Sequence, residues 1–311
     1  MKKYFSLLLL LFCITINITA QDSTSIKLRF LEPAPELHKG RTIATVGIWA
    51  SAYGSSLYML STYWYDELEG FRVFNDNANW LQVDKFGHAY TAYFQGHWGI
   101  KTFKWAGMKH LPATLIGGSV GFVNETVIEI LDGRSPTYGW SHGDFIANTA
   151  GTALLIGQEL IWKEQRILMK FGYTPQDYSR FNSPLISQTA LDEFGTGGEA
   201  FFKDYNGHNY WLSGNVYSFL KKDSQFPKWL NVAVGLGGDQ MLHAVGNENN
   251  GITDLKRRRE FYLSLDADLT RLKSKTHLGK TLLFLLNGFK IPFPALRYNS
   301  DGDFDFVPLA W

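Results

Sequence analysis

Residues 83–98 read VDKFGHAYTAYFQGHW, and they place an acid, a base and an imidazole within five positions of an otherwise apolar, aromatic segment. The spacing predicts a helix from about Asp84 to Ile100, on which Asp84 and His88 stand four apart and share a face. Polar groups on an apolar helix are costly to bury unless something satisfies them. The search for partners therefore runs outward along the chain.

Three further helices are expected around it, over Thr42–Trp64, Pro112–Leu131 and Ser141–Trp162. The first carries no charge over 23 residues, which is long enough to span a bilayer or to lie buried in a bundle. The third carries Glu125 and Glu129 four apart, with Asp132 three further on. The fourth places Asp144, Asn148 and Gly151 on one stripe. Gly117, Gly118 and Gly121, and then Ala147, Ala150, Gly151 and Ala153, offer small surfaces where helix axes can approach closely.

Each polar residue also has an ordinary structural role open to it. Asp84 suits a helix cap, and Ser141 with Asp144 has the form of a capping box. Glu125 and Glu129 suit a solvated face, and His88 suits a hydrogen-bonded core. Taken together they point further. If the helices are neighbours, Asp84, His88, Glu129, Asp144 and Asn148 converge on one polar pocket as its candidate catalytic residues. Lys85, Glu125 and Asp132 are its candidate binding residues, with Lys85 pairing an acid of the cluster. Such a set can hold a divalent metal, run acid–base chemistry or serve as a structural network. The spacing matches no tight metal signature, so metal and cofactor stay open.

The chain begins MKKYFSLLLLLFCITINITAQD, an order of charged, apolar and small residues expected of a signal peptide over 1–20, cleaved after Ala20. Cys13 follows bulky Phe12, which favours cleavage over lipid attachment. Cleavage at Ala20 would remove the one cysteine, and disulfide chemistry with it. The 30 basic residues less Lys2 and Lys3 leave 28 against 29 acidic ones, so no overall field favours nucleic acid. Aromatics at 15% suit membrane interfaces and carbohydrate or lipid surfaces.

Beyond about Ile167 the pattern changes. Pro175, Pro184 and FGTGGEAFF predict a long irregular connection, with GTGGE as a flexible turn. In REFYLSLDADLTRL, Phe261, Leu263, Leu265, Ala267 and Leu269 alternate with Tyr262, Ser264, Asp266, Asp268 and Thr270, which predicts a strand with one wet face. A short helix is expected to stop near Asn287-Gly288, and the strands in view are too few for a barrel of eight. The basic cluster Lys256–Glu260 suits a solvated edge or turn ahead of anionic head groups. The expected fold is α+β, mainly α. A signal peptide (1–20) precedes a compact bundle of about four weakly hydrophobic helices (21–168), and a smaller strand-containing region with one short helix follows (169–311).

The ordered motifs DKFGHAYTAY, ETVIEILDG and WSHGDFIANTAG resemble the DUF2279 family of YfiM-like periplasmic or envelope proteins, and the same order is similar to VanZ-like membrane proteins. The matching positions are Asp84, Lys85, His88, Glu129, Asp132, Gly133, Asp144, Asn148 and Gly151. The resemblance implies location and fold more than a reaction. The expectation is an exported, membrane-associated protein on the periplasmic side of the cell envelope. Its polar site would bind or act on a membrane lipid or lipid-linked envelope component. The alternative is a non-catalytic scaffold whose polar cluster only locks helix packing.

Overall fold

The structure, a computed structural model, describes residues 30–63, 68–221, 223–248 and 251–311. The expected signal peptide, Cys13 and Trp64 lie outside the described residues. The fold is α+β and mainly α, with an antiparallel sheet in its C-terminal part.

Helix α1 spans Lys39–Tyr63, α2 Val83–Trp105, α3 Val120–Asp132 and α4 His142–Ile161. The short strands β1 (Val73–Phe74) and β2 (Trp140–Ser141) pair in parallel between them. Helix α2 is the axis of the bundle, with Ala92, Tyr93 and Ile100 almost fully buried, and it packs against α3 and α4 on two sides. The small residues read from the sequence make those contacts. A Cβ placed on Gly99 would lie 2.1 Å from the Gly117 carbonyl oxygen, on Gly121 2.2 Å from that of Ala92, and on Gly151 2.0 Å from that of Ala89. Neighbouring segments therefore meet α2 backbone to backbone at Ala89, Ala92 and Gly99.

Two of the expected helices run differently. The segment expected as one helix from Pro112 to Leu131 is interrupted: a turn at His110–Pro112 runs into a π-helical stretch, Ala113–Gly117, before α3 begins. Helix α1 is peripheral rather than buried, with Ile43, Val46 and Ile48 exposed. It is tied to α2 by Trp49 Nε1 donating to Thr102 Oγ1 at 3.0 Å.

The C-terminal sheet is a six-stranded antiparallel meander. Its strands are β3 (Ile167–Tyr173), β4 (His208–Asn215), β5 (Leu230–Asp239), β6 (Arg258–Ala267), β7 (Phe293–Asn299) and β8 (Phe304–Ala310), in that spatial order. The connection expected to be irregular instead contains α5 (Pro184–Phe194) and α6 (Gly198–Lys203), so α7 (His277–Leu286) is not the lone helix of this region. Gly195 and Gly197, with φ of 68° and 58°, form the turn between α5 and α6. Helix α2 lies on β3 and β4 through Tyr90, Phe171 and Tyr210.

The period-two reading of β6 holds, but its faces are reversed. Tyr262, Ser264 and Asp266 are buried, while Phe261, Leu263 and Leu265 are exposed. The basic cluster is paired within the fold. Lys256 and Arg258 both reach Asp301, and the Arg259 guanidinium donates to the Leu81 carbonyl.

Candidate functional site

The start of α2 is fixed by an unusual entry. Trp80, Leu81 and Gln82 follow one another with φ of 47°, 51° and 68°, a left-handed run that side chains other than glycine rarely adopt. The Trp80 ring lies against Phe194 and Tyr205, and Arg259 grips the Leu81 carbonyl and the Gln82 side chain. Asp84 is therefore not the helix cap, because Gln82 holds that position without a side-chain cap bond. Asp84 sits in the first turn, buried, with its carboxylate on Lys85 at 3.0 Å.

Lys85 is the hub of one half of the site. Its Nζ lies 2.7 Å from Asp76 Oδ2, 3.0 Å from Asp84 Oδ2 and 2.9 Å from Asp144 Oδ1. One turn along, His88 is the hub of the other half. Its Nδ1 lies 3.3 Å from Glu125 Oε2 and 3.7 Å from Glu129 Oε1, and its Nε2 lies 3.7 Å from Asp144 Oδ1. Ser141 joins the two: its hydroxyl donates to Asp76 at 2.5 Å and accepts from the Asp144 N–H, while its own N–H donates to Glu129 Oε2 at 3.2 Å. Ser141 is thus the N-cap of α4, but the capping box does not close: the Ser141 N–H goes to Glu129 instead of the Asp144 carboxylate, which ties the start of α4 to α3.

Glu125 and Glu129 are buried, at 4% and 1% exposure, so the solvated-face reading fails for both. Asn148 is fully buried on the Asp144 face of α4, and neither end of its amide has a hydrogen-bond partner in the protein. Glu129 Oε1 and Asp84 Oδ1 are in the same position. Asp132 stands apart from the contacts around His88. It is half-buried at the end of α3, and its charge acts on Glu129 at longer range. Asp76 and Ser141 were not anticipated as site residues, and no spacing in the sequence links Asp76 to the helices.

Five carboxylates, Asp76, Asp84, Glu125, Glu129 and Asp144, face two cationic side chains. The excess shows in their protonation. Burial pushes Glu129 up to about 8 against the pull of His88, with Asp144 adding repulsion. Burial likewise pushes Asp84 up to about 6, despite Lys85. Burial opposes the His88 imidazolium, but the Glu125 contact and the charges of Asp144, Glu125 and Glu129 outweigh it and raise His88 to about 10. His88, Glu129 and Asp144 each bring one ligand atom within 4.8 Å of the others, a set able to hold a metal ion. A second set, Asp76, Asp84 and Asp144, is already occupied by the Lys85 ammonium.

A groove of about 260 Å³ opens nearby between α1, α2 and α3, walled by Trp49, Tyr53, Phe94 and Trp98. Gln95, which lines it, donates to Glu125 Oε1 at 3.4 Å and so connects the groove to the His88 cluster.

Fold and site together define a helical bundle with an enclosed acidic and imidazole cluster, joined to an antiparallel meander. Residues 69–157 match the DUF2279 family, described as predicted periplasmic lipoprotein, and that stretch carries Asp76, the α2 residues and the whole of the Glu125, Glu129, Asp144 and Asn148 set. The match supports an envelope location for the chain. Comparison with curated proteins and with solved structures gives no match.

Proposed function

We propose that this is an exported, membrane-associated envelope protein whose helical bundle binds a divalent cation through His88, Glu129 and Asp144 and presents it to the polar head of a lipid or lipid-linked envelope molecule. The observation that carries this reading is the set of buried polar atoms left without hydrogen bonds beside that triad: Glu129 Oε1 and both ends of Asn148. Buried groups of this kind cost about 1–3 kcal/mol each when unsatisfied. An oxygen-rich set with one imidazole suits Zn²⁺, Mn²⁺ or Mg²⁺. A bound cation would polarise an oxygen of the head group or activate a water. The aromatic groove would take the apolar part of the same ligand, with Gln95 and Glu125 between the two.

A structural reading is favoured by one observation: Lys85 is satisfied by three carboxylates and knits α2, α4 and the segment before α2 together. The two readings separate in a thermal-shift experiment on chelator-treated protein titrated with Mn²⁺ or Zn²⁺. Cation binding at a hundredfold excess over Kd adds about 2.7 kcal/mol, or roughly 5–10 °C in Tm. The shift should disappear in Glu129→Gln and shrink in Asn148→Ser. A Tm unmoved by any divalent ion, with both variants grossly destabilised, would leave only the structural network.

A further inference from the structure

The meander is built inside out for a protein in water. Leu212, Val234, Leu263, Leu296 and Phe306 are aligned neighbours on five successive strands, and all five are exposed, at 37%, 52%, 49%, 43% and 62%. The rows beside it are apolar too: Phe261, Tyr298 and Phe304 on one side, Val232 and Leu265 on the other, all exposed. The opposite face carries buried polar residues around a small apolar cluster of Trp211, Ala233, Tyr262 and Ala295. Ser213 donates to Asp266 at 2.6 Å, and Lys170 reaches from β3 across to Asp266 on β6 at 2.8 Å, with both members of that ion pair fully buried.

A strand of a soluble sheet turns its apolar side to the core and its polar side to water. Here the apolar side packs on α2 through Met169, Phe171 and Tyr210 and then continues uncovered across β5–β8, which is the arrangement of a sheet whose outer solvent is hydrocarbon. The face is also convex. Trp311 lies against Gly172 of β3, and its carbonyl accepts from Trp211 Nε1, so the last strand curls back over the inner side of the first. Two rigid convex faces meet along a line and would leave most of these rows wet, whereas lipid chains follow the curve. On β5 the uncovered part of the band is Val232 and Val234, and Leu236 beyond them packs against the α2 core. Exposed Trp229 stands at the Leu230 end, a residue type found where hydrocarbon gives way to head groups.

We infer that the convex face of the β4–β8 meander beds into the hydrocarbon of a lipid bilayer, which makes the sheet the membrane anchor of the folded protein. The inference is independent of the cation site.

The test uses the full chain with Cys13→Ser and one new cysteine, Leu263→Cys, carrying an environment-sensitive fluorophore, mixed with phosphatidylethanolamine/phosphatidylglycerol vesicles. The expected result is a blue shift on adding vesicles and quenching by nitroxides placed on the acyl chains but not by aqueous iodide. The pair Leu263→Glu and Phe306→Glu points outward and should leave the fold intact by circular dichroism while lowering vesicle partition at least tenfold. Ile161→Glu, on an exposed apolar position of the bundle, should lower it far less. A label that stays accessible to iodide would overturn the inference. So would a blue shift present without vesicles in a protein that sediments as a dimer, which would assign the face to a second copy. Loss of partition equal in Ile161→Glu would also overturn it.

Discussion

Replacing Gly151 by alanine tests the packing that assembles the site. A Cβ there would stand 2.0 Å from the Ala89 carbonyl oxygen, about 1.4 Å short of ordinary contact, and the obstruction is α2 backbone rather than a side chain that can swing aside. Relief requires α4 to back away from α2, and that movement carries Asp144 and Asn148 away from His88 and Lys85. Overpacking of this kind costs about 1–3 kcal/mol, and a backbone obstacle argues for the upper end. Gly157, two turns along the same helix, has nothing within 4 Å of its would-be Cβ. Gly157→Ala should therefore stabilise by about 0.5–1 kcal/mol, because alanine is the better helix former. Thermal unfolding followed at 222 nm would read a fall of roughly 5–10 °C for Gly151→Ala and a small rise for Gly157→Ala. A Gly151→Ala protein as stable as the parent would refute the close-approach account of how the site is built.

Lys85→Met should destabilise by about 3–5 kcal/mol in urea titrations at neutral pH, since it strands Asp76, Asp84 and Asp144 without their shared cation; a loss under 1 kcal/mol would show that water already screens them. Stability should also fall in acid. Burial, with Lys101 adding repulsion, pushes His97 down to about 3, and burial lowers His208 against its bond to the Phe201 carbonyl. The unfolded chain binds protons on both rings from about pH 6.5 downward while the folded one resists. Their contribution is complete above that pH and is lost as pH falls through the folded values, at most about 1.4 kcal/mol per unit for each ring. His97→Phe should flatten the acid limb of a Tm-against-pH curve, and an unchanged limb would contradict the assignment.

The helical half was legible because its evidence is local. Four-residue spacings put Asp84 with His88 and Glu125 with Glu129, and the glycine and alanine positions announced close helix contacts. Ordered motifs on three helices point to His88, Glu129 and Asp144 as neighbours, as the structure places them. What escaped depends on long-range placement. Asp76 joins the site from a segment without periodic pattern, and the left-handed run at Trp80–Gln82 is made tolerable by Arg259, far along the chain. The sheet shows a different limit. Alternation in β6 reveals the period but not which side is wet, because Tyr262, Ser264 and Asp266 look like surface residues until Glu260 accepts from Tyr262, the Pro294 carbonyl accepts from Ser264, and Lys170 and Ser213 reach Asp266 from other strands. Asp132 shares the spacing of its helix neighbours, yet it lies past the point where α3 leaves the cluster.

The most direct test of the central claim is a crystal structure of the protein equilibrated with Mn²⁺, with anomalous data collected to locate the ion. The account predicts a single strong peak within about 2.0–2.3 Å of His88, Glu129 and Asp144, with Asn148 turned toward it. A polar pocket holding only water beside a well-ordered Lys85, with no anomalous peak at the triad, would contradict it.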